Sequence, residues 1–224
     1  MKVLAFAFPG FTFVDLAGPM QAFSMLPDYE VQVVWKERGS VMSDCGIAVT
    51  ASHDFDNSWS EPDLLFVPGN TTALFDLLED EETLRFLATR GEKAQWISSV
   101  CSGSLLLGAA GLLDGYRAAS YWFVRDELAR FGATPVEDRV VIDRNRLTGG
   151  GMTAGIDLGL AVLGHLMGEE KGKLFELLFE YAPQPPYGTG RPELASRETL
   201  ESARALLRHL MPVDRLDRVK MLSR

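Results

Sequence analysis

Short, almost continuously apolar runs alternate along this chain with longer stretches in which apolar positions recur every three or four residues. KVLAFAF (2–8), YEVQVVWK (29–36), DLLFVPG (63–69) and AQWISSV (94–100) read as strands. VDLAGPMQAFSML (14–26), TALFDLLEDEETLRFLATRG (72–91) and GSLLLGAAGLL (103–113) read as helices. Strands that lack polar alternation are buried on both faces, and strands followed by helices predict a doubly wound, mostly parallel sheet with helices on both sides.

In such a sheet, ligands bind outside the carboxyl ends of the strands, where loops turn into helices. Cys101 falls between strand 94–100 and helix 103–113, followed by the small residues Ser102 and Gly103. A buried structural cysteine is the ordinary reading of a lone thiol. Its place in a tight strand-to-helix turn instead predicts a reactive one, with the helix amino terminus favouring thiolate. Asp15 lies just after the first strand, where it is either a helix N-cap or an acid facing the same crevice. Cys45, in VMSDCGIAV, reads as a structural residue of a hairpin. His165 and His209 lie in helical runs and His53 in a turn, so a Cys/His pair has little support.

Composition narrows the partners. The 224 residues are 46% hydrophobic, enough for a sizeable core, and carry a net charge of -9. That charge argues against gripping nucleic acid or an anionic membrane. No apolar run is long enough to span a bilayer, and the opening MKVLAFAFPGF is broken at Pro9-Gly10, unlike a signal peptide. Two cysteines make no disulfide framework, which predicts a reducing cytoplasm. There is no clustered metal-ligand spacing, and TGGGMTAG lacks the dinucleotide-binding pattern, so no cofactor is expected. From Arg191 onward the tail is mildly basic, as a solvated amphipathic helix would be.

FVDLAGPMQAF, PDLLFVPGN, SSVCSGSLLLGAAGLLDG and LTGGGMTAGIDLGLAVL follow one another in the order and spacing of the ThiJ/PfpI superfamily of class I glutamine amidotransferase-like proteins. Within it the chain most resembles the isonitrile hydratases, including the tail YAPQPPYGTGRPELA (181–195). The resemblance implies a flavodoxin-like domain over 1–182, with a Pro-rich segment and helices over 183–224 packed on it, in a homodimer. It implies Cys101 as nucleophile, Asp15 as its acidic partner, and backbone N–H donors at Ser102 and at the Gly69–Asn70 turn. Asn70 departs from the second glycine usual there, and Tyr121 stands where many relatives have histidine.

The implied reaction turns an isonitrile into an N-substituted formamide through a cysteine thioimidate, without cofactor. Gly150 and Gly151, in the run Gly149–Gly151, would let the helix after 153 shift as the nucleophile is modified. Phe11, Phe13, Tyr121, Trp122 and Met152 would wall a pocket for a small apolar substrate. The alternatives are a glyoxalase- or deglycase-like activity on reactive aldehydes, or a redox-sensing or regulatory protein without turnover. A regulator of the related type would need a helix-turn-helix domain, for which the tail is too short.

Overall fold

A computed structural model describes residues 1–222. Its elements in chain order are β1 (Lys2–Phe6), α1 (Phe13–Phe23), β2 (Glu30–Val34), β3 (Gly39–Met42), β4 (Ala48–Ala51), β5 (Leu64–Val67), α2 (Ala73–Leu77) and α3 (Glu81–Lys93). They continue with β6 (Trp96–Ser99), α4 (Gly103–Ala109), β7 (Arg117–Ala118), β8 (Thr134–Pro135), β9 (Val140–Asp143), β10 (Arg146–Gly149), α5 (Ala154–Met167), α6 (Glu169–Leu178) and α7 (Arg197–Leu210).

The main sheet has the order β2-β1-β5-β6-β10-β9, parallel except for the edge strand β9. β5 is buried at every position, as its unbroken apolar run requires. The chain leaves β1 towards β2 on one side and returns to β5 on the other, so the sheet's switch point lies between β1 and β5. The carboxyl ends of β1, β5, β6 and β10 therefore converge on one crevice. α1 crosses α5 closely because small residues line the contact: a Cβ on Gly159 would stand 2.4 Å from that of Ala22, and one on Gly155 would stand 3.0 Å from Pro19.

Two expected helices are shorter than their apolar pattern suggests. The run 72–91 is two helices, because Asp80 turns extended and starts α3, where its carboxylate accepts from Thr83 Oγ1 at 2.8 Å. The run 103–113 ends as a helix at Ala109, ahead of Gly111 in a left-handed conformation (φ 75°). The hairpin of β3 and β4 stands outside the main sheet. In the C-terminal part, α6 buries none of its residues, whereas Leu207, Met211 and Leu216 join the core. That return is fixed by Arg215, which pairs with Asp76 at 2.7 Å and Glu79 at 2.9 Å. Among the described residues no helix is long and apolar enough to cross a membrane.

Candidate active site

Cys101 is the one site residue whose backbone is forced. Its φ of 59° lies in the left-handed region, where a side chain costs roughly 1–2 kcal/mol. The surroundings over-determine it. The Cys101 N–H donates to the carbonyls of Gly149 (3.2 Å) and Gly150 (2.6 Å), and its own carbonyl accepts from Tyr121 N–H (3.2 Å) and Ser120 Oγ (2.9 Å). Room for the turn comes from two glycines. A Cβ on Gly103 would meet the Val67 carbonyl at 2.5 Å, and one on Gly69 would meet Ser102 N at 2.7 Å. The sharp elbow lifts the sulfur off the end of β6 towards Asp15, while Cys101 remains only 3% exposed.

Asp15 is fully buried and is not the cap of α1. Its Oδ2 accepts from Gly69 N–H at 3.0 Å, across the switch point, and its Oδ1 is buried with no hydrogen-bond partner. The start of α1 is covered instead by Asp44 of the hairpin, whose carboxylate accepts from Thr12 Oγ1 (2.8 Å) and Phe13 N–H (3.3 Å). Between the two sequence readings of Asp15, this geometry removes the capping one.

Burial pushes the Asp15 carboxyl up to about 7, against the lowering pull of the Gly69 N–H and the Cys101 thiol, with the Asp44 charge adding to the rise. Burial likewise pushes the Cys101 thiol well up, and the neighbouring Asp15 charge raises it further. The Ser102 N–H and hydroxyl oppose this. The expectation that the helix amino terminus favours thiolate is thus overturned. α4 begins with the right polarity, but it is short and wholly buried, and the loss of water outweighs the N–H groups it offers.

The Gly69–Asn70 turn also departs from the expected role. Gly69 N–H is held by Asp15, and Asn70 N–H donates to Ser102 Oγ at 3.0 Å, so neither is a free donor for substrate. Asn70 is a brace: its Oδ1 accepts from Thr72 and Ala73 N–H, both at 2.7 Å, at the start of α2, and its amide donates to the Gly10 carbonyl. Its carbonyl also accepts from Ser102 Oγ at 2.6 Å. Both contacts with Ser102 use the Asn70 backbone, as a glycine there could, and the side-chain brace to Gly10, Thr72 and Ala73 is what asparagine adds. Ser102 N–H, facing the sulfur, remains from the expected donor set.

Tyr121, half-buried, lies close enough to the thiol for its own hydroxyl to be raised, after the larger effect of burial, by the sulfur's charge. It lines a cavity of about 330 Å³ with Trp122, Gly150, Gly151, Met152 and Pro192. Phe11 and Phe13 do not line it; Phe11 is fully buried in the core. Nor are the walls purely apolar, since Arg125, Arg139 and Arg191 rim the cavity with Glu137, Asp138 and Glu193. Gly150 and Gly151 adopt no left-handed φ. Gly151 is small because a Cβ would press on the Tyr121 ring at 2.9 Å, whereas Gly150 has room for one.

No histidine acts on either member of the pair. His53 bonds Gln32 and Ser52, and His165 packs edge-on to Trp96. Cys45 is free and exposed, not a packed structural residue. Among the described residues no cluster of His, Cys, Asp and Glu is placed to hold a metal ion.

Residues 1–165 match the DJ-1/PfpI family. The chain is 42% identical to the isonitrile hydratase of Pseudomonas putida over 197 residues, covering 88% of this chain and 86% of that protein. It is 29% identical over 146 residues to a deglycase of Thermococcus kodakarensis, covering 65% of this chain and 87% of that one. The crystal structure of a ThiJ/PfpI family protein from Pseudomonas syringae superposes with a TM-score of 0.92 at 40% identity, covering 97% of this chain and 89% of that one.

Proposed function

This chain belongs to the DJ-1/PfpI family, and from that premise we propose that it hydrates isonitriles to N-substituted formamides through a thioimidate on Cys101. The observation that carries the reading is the buried pair of Cys101 and Asp15, with one carboxylate oxygen unpartnered and no histidine acting on it. The 42% identity to an isonitrile hydratase supports the same substrate class.

The pair is active with one proton between its two members. Asp15 takes the proton of the thiol, Cys101 Sγ attacks the isonitrile carbon, and Asp15 returns the proton to that carbon, giving R–N=CH–S–Cys101. Asp15, again a carboxylate, draws a proton from water as the water oxygen adds to the same carbon. The nitrogen takes that proton, and as the C–S bond breaks Asp15 passes the proton left on the added oxygen to the departing sulfur, releasing R–NH–CHO and restoring the thiol. Asp15 Oδ1 suits this shuttle because Oδ2 is already held by Gly69. Ser102 N–H stabilises charge on the sulfur.

Each step uses groups of the chain and water alone. The 330 Å³ cavity, which Tyr121 joins to the elbow and Cys101 and Asp15 do not themselves line, would take the apolar part of a small isonitrile against Tyr121, Trp122 and Met152. Two free cysteines fit a reducing cytoplasm. A second copy of the chain would cover the exposed Leu174, Leu177 and Leu178 of α6.

Aldehyde chemistry on the same cysteine is the competing reading, given the similarity to a deglycase. An assay of an aryl isonitrile beside methylglyoxal separates the two. Formamide production from the isonitrile is expected, and turnover of the aldehyde alone would reverse the assignment.

A further inference from the structure

Asp44 stands at the tip of the β3–β4 hairpin, outside the main sheet, yet it is tied to the loop that presents Asp15. Its own N–H donates to the Phe11 carbonyl at 2.9 Å, while Gly10 N–H donates to the Met42 carbonyl at 2.8 Å. Its side chain then closes the start of α1 through Thr12 Oγ1 and Phe13 N–H. Thr12 is the hub of that entrance: its carbonyl accepts from Asp15 N–H at 3.0 Å, and its N–H donates to the Gly69 carbonyl at 2.9 Å. A movement of the hairpin tip would therefore be felt at both ends of the Asp15–Gly69 contact.

Capping alone does not call for a carboxylate here, because serine and asparagine cap helices about as well. An acid at this point instead puts a second negative charge on the turn that carries a buried one. We propose that Asp44 is a positioning residue for the Asp15–Cys101 pair: it fixes the entrance to α1 that aims Asp15, and it holds a second negative charge against the turn that carries the pair. The groups that act on Asp15 besides its burial are Gly69 N–H from the end of β5 and Cys101 from the elbow, which pull its carboxyl down, and Asp44 from the hairpin, whose charge adds to the rise. Of these, Asp44 alone is solvent-exposed, so its influence alone is open to screening by salt.

The inference rests on the proton-sharing pair of the proposed reaction, but its test does not require isonitrile turnover. In the full chain, Asp44→Asn and Asp44→Glu are compared with the native protein by the pH dependence of Cys101 alkylation with iodoacetamide, read on the Cys101 peptide. The pH dependence of kcat/KM for an aryl isonitrile is measured alongside. The native chain and Asp44→Glu are expected to share an acid limb near pH 7, and Asp44→Asn to move it down by about half a unit or more.

Raising salt from about 0.05 to about 0.5 M should move the native limb the same way and leave Asp44→Asn still. A folded Asp44→Asn with an unmoved limb, or Asp44→Glu moving with it, overturns the proposal. If Asp44→Asn does not fold, the salt series on the native chain decides, and an unmoved limb overturns it. Absent isonitrile turnover with an intact alkylation limb would count against the hydratase reading and not against Asp44.

Discussion

Gly69 donates its backbone N–H to Asp15 Oδ2 at 3.0 Å, from the end of one strand to the acid that follows another. The bond fixes the carboxyl without neutralising the cost of burying it. That cost has a sign. A carboxyl held at about 7 in the folded chain and near 3.8 unfolded keeps its proton longer when folded, so stability from this group falls as pH rises from about 4 to about 7.

Asp15→Asn should therefore separate activity from stability. Asparagine keeps the oxygen for Gly69 N–H and loses the titrating proton, so turnover should drop by roughly 10²–10⁴-fold. The same change removes a buried charge, and thermal or urea unfolding at pH 8 should show a gain of up to about 4 kcal/mol, fading below pH 4. A variant of native stability and near-native activity would remove Asp15 from proton transfer.

The pH profile of kcat/KM should rise through an acid limb near 7, well above the ordinary carboxylate range, because below it both Asp15 and Cys101 hold their protons. It should fall again only at high pH, where the raised thiol gives up the pair's last proton. A limb near 4 would mean that Asp15 in the free enzyme does not feel the burial that raises it, since kcat/KM reports the free enzyme.

Cys101→Ala should fold and show no turnover, since the neighbouring hydroxyl at the elbow, that of Ser102, is held by the Asn70 carbonyl. In the native chain at neutral pH, iodoacetamide should label exposed Cys45 ahead of buried Cys101, with Cys101 catching up as pH rises. Peptide mass analysis at timed intervals reads both. Faster labelling of Cys101 at pH 7 would show that the elbow favours thiolate after all.

What the sequence disclosed follows from how local each feature is. The elbow was legible because strand, cysteine, two small residues and helix are contiguous, and β1 and β5 announced themselves by unbroken apolar runs. The direction of the thiol shift was not, since a helix dipole is visible in a sequence and the desolvation that outweighs it is a property of the packed crevice. Asn70 and Asp44 were hidden for another reason. Their partners lie far along the chain, Ser102 for one and Thr12 for the other, and only tertiary pairing decides that one N–H is occupied and one helix start is already capped. The split of 72–91 into α2 and α3 was obscured because acidic residues suit a helix's first turn as well as a break before it.

The two glycines beside the nucleophile should respond differently to alanine. At Gly151 a Cβ would force Tyr121 away from the cavity wall, so Gly151→Ala should raise KM for bulky aryl isonitriles more than it alters kcat. At Gly150 the nearest atoms stand 3.6 Å or more from the added carbon, so Gly150→Ala should fold and bind substrate normally. Equal effects at both positions would mean that backbone freedom, rather than space beside Tyr121, is what the run supplies.

The apolar face of α6 provides the last test. Leu177 is 77% exposed and Leu178 65%, on a helix that buries none of its residues, followed by a Pro-rich stretch whose Arg191 and Pro192 line the cavity beside Tyr121. Leaving such a face in water is unfavourable, and a second copy is expected to cover it at an isologous interface. Scattering should give a mass of twice 24.7 kDa for the native chain. Leu177→Asp should yield the single-chain mass while Cys101 and Asp15, carried by other elements, keep their geometry. If the single-chain form also loses turnover, the Pro-rich stretch depends on the partner to stay at the cavity. A native chain of 24.7 kDa in solution would instead leave the face for a different protein.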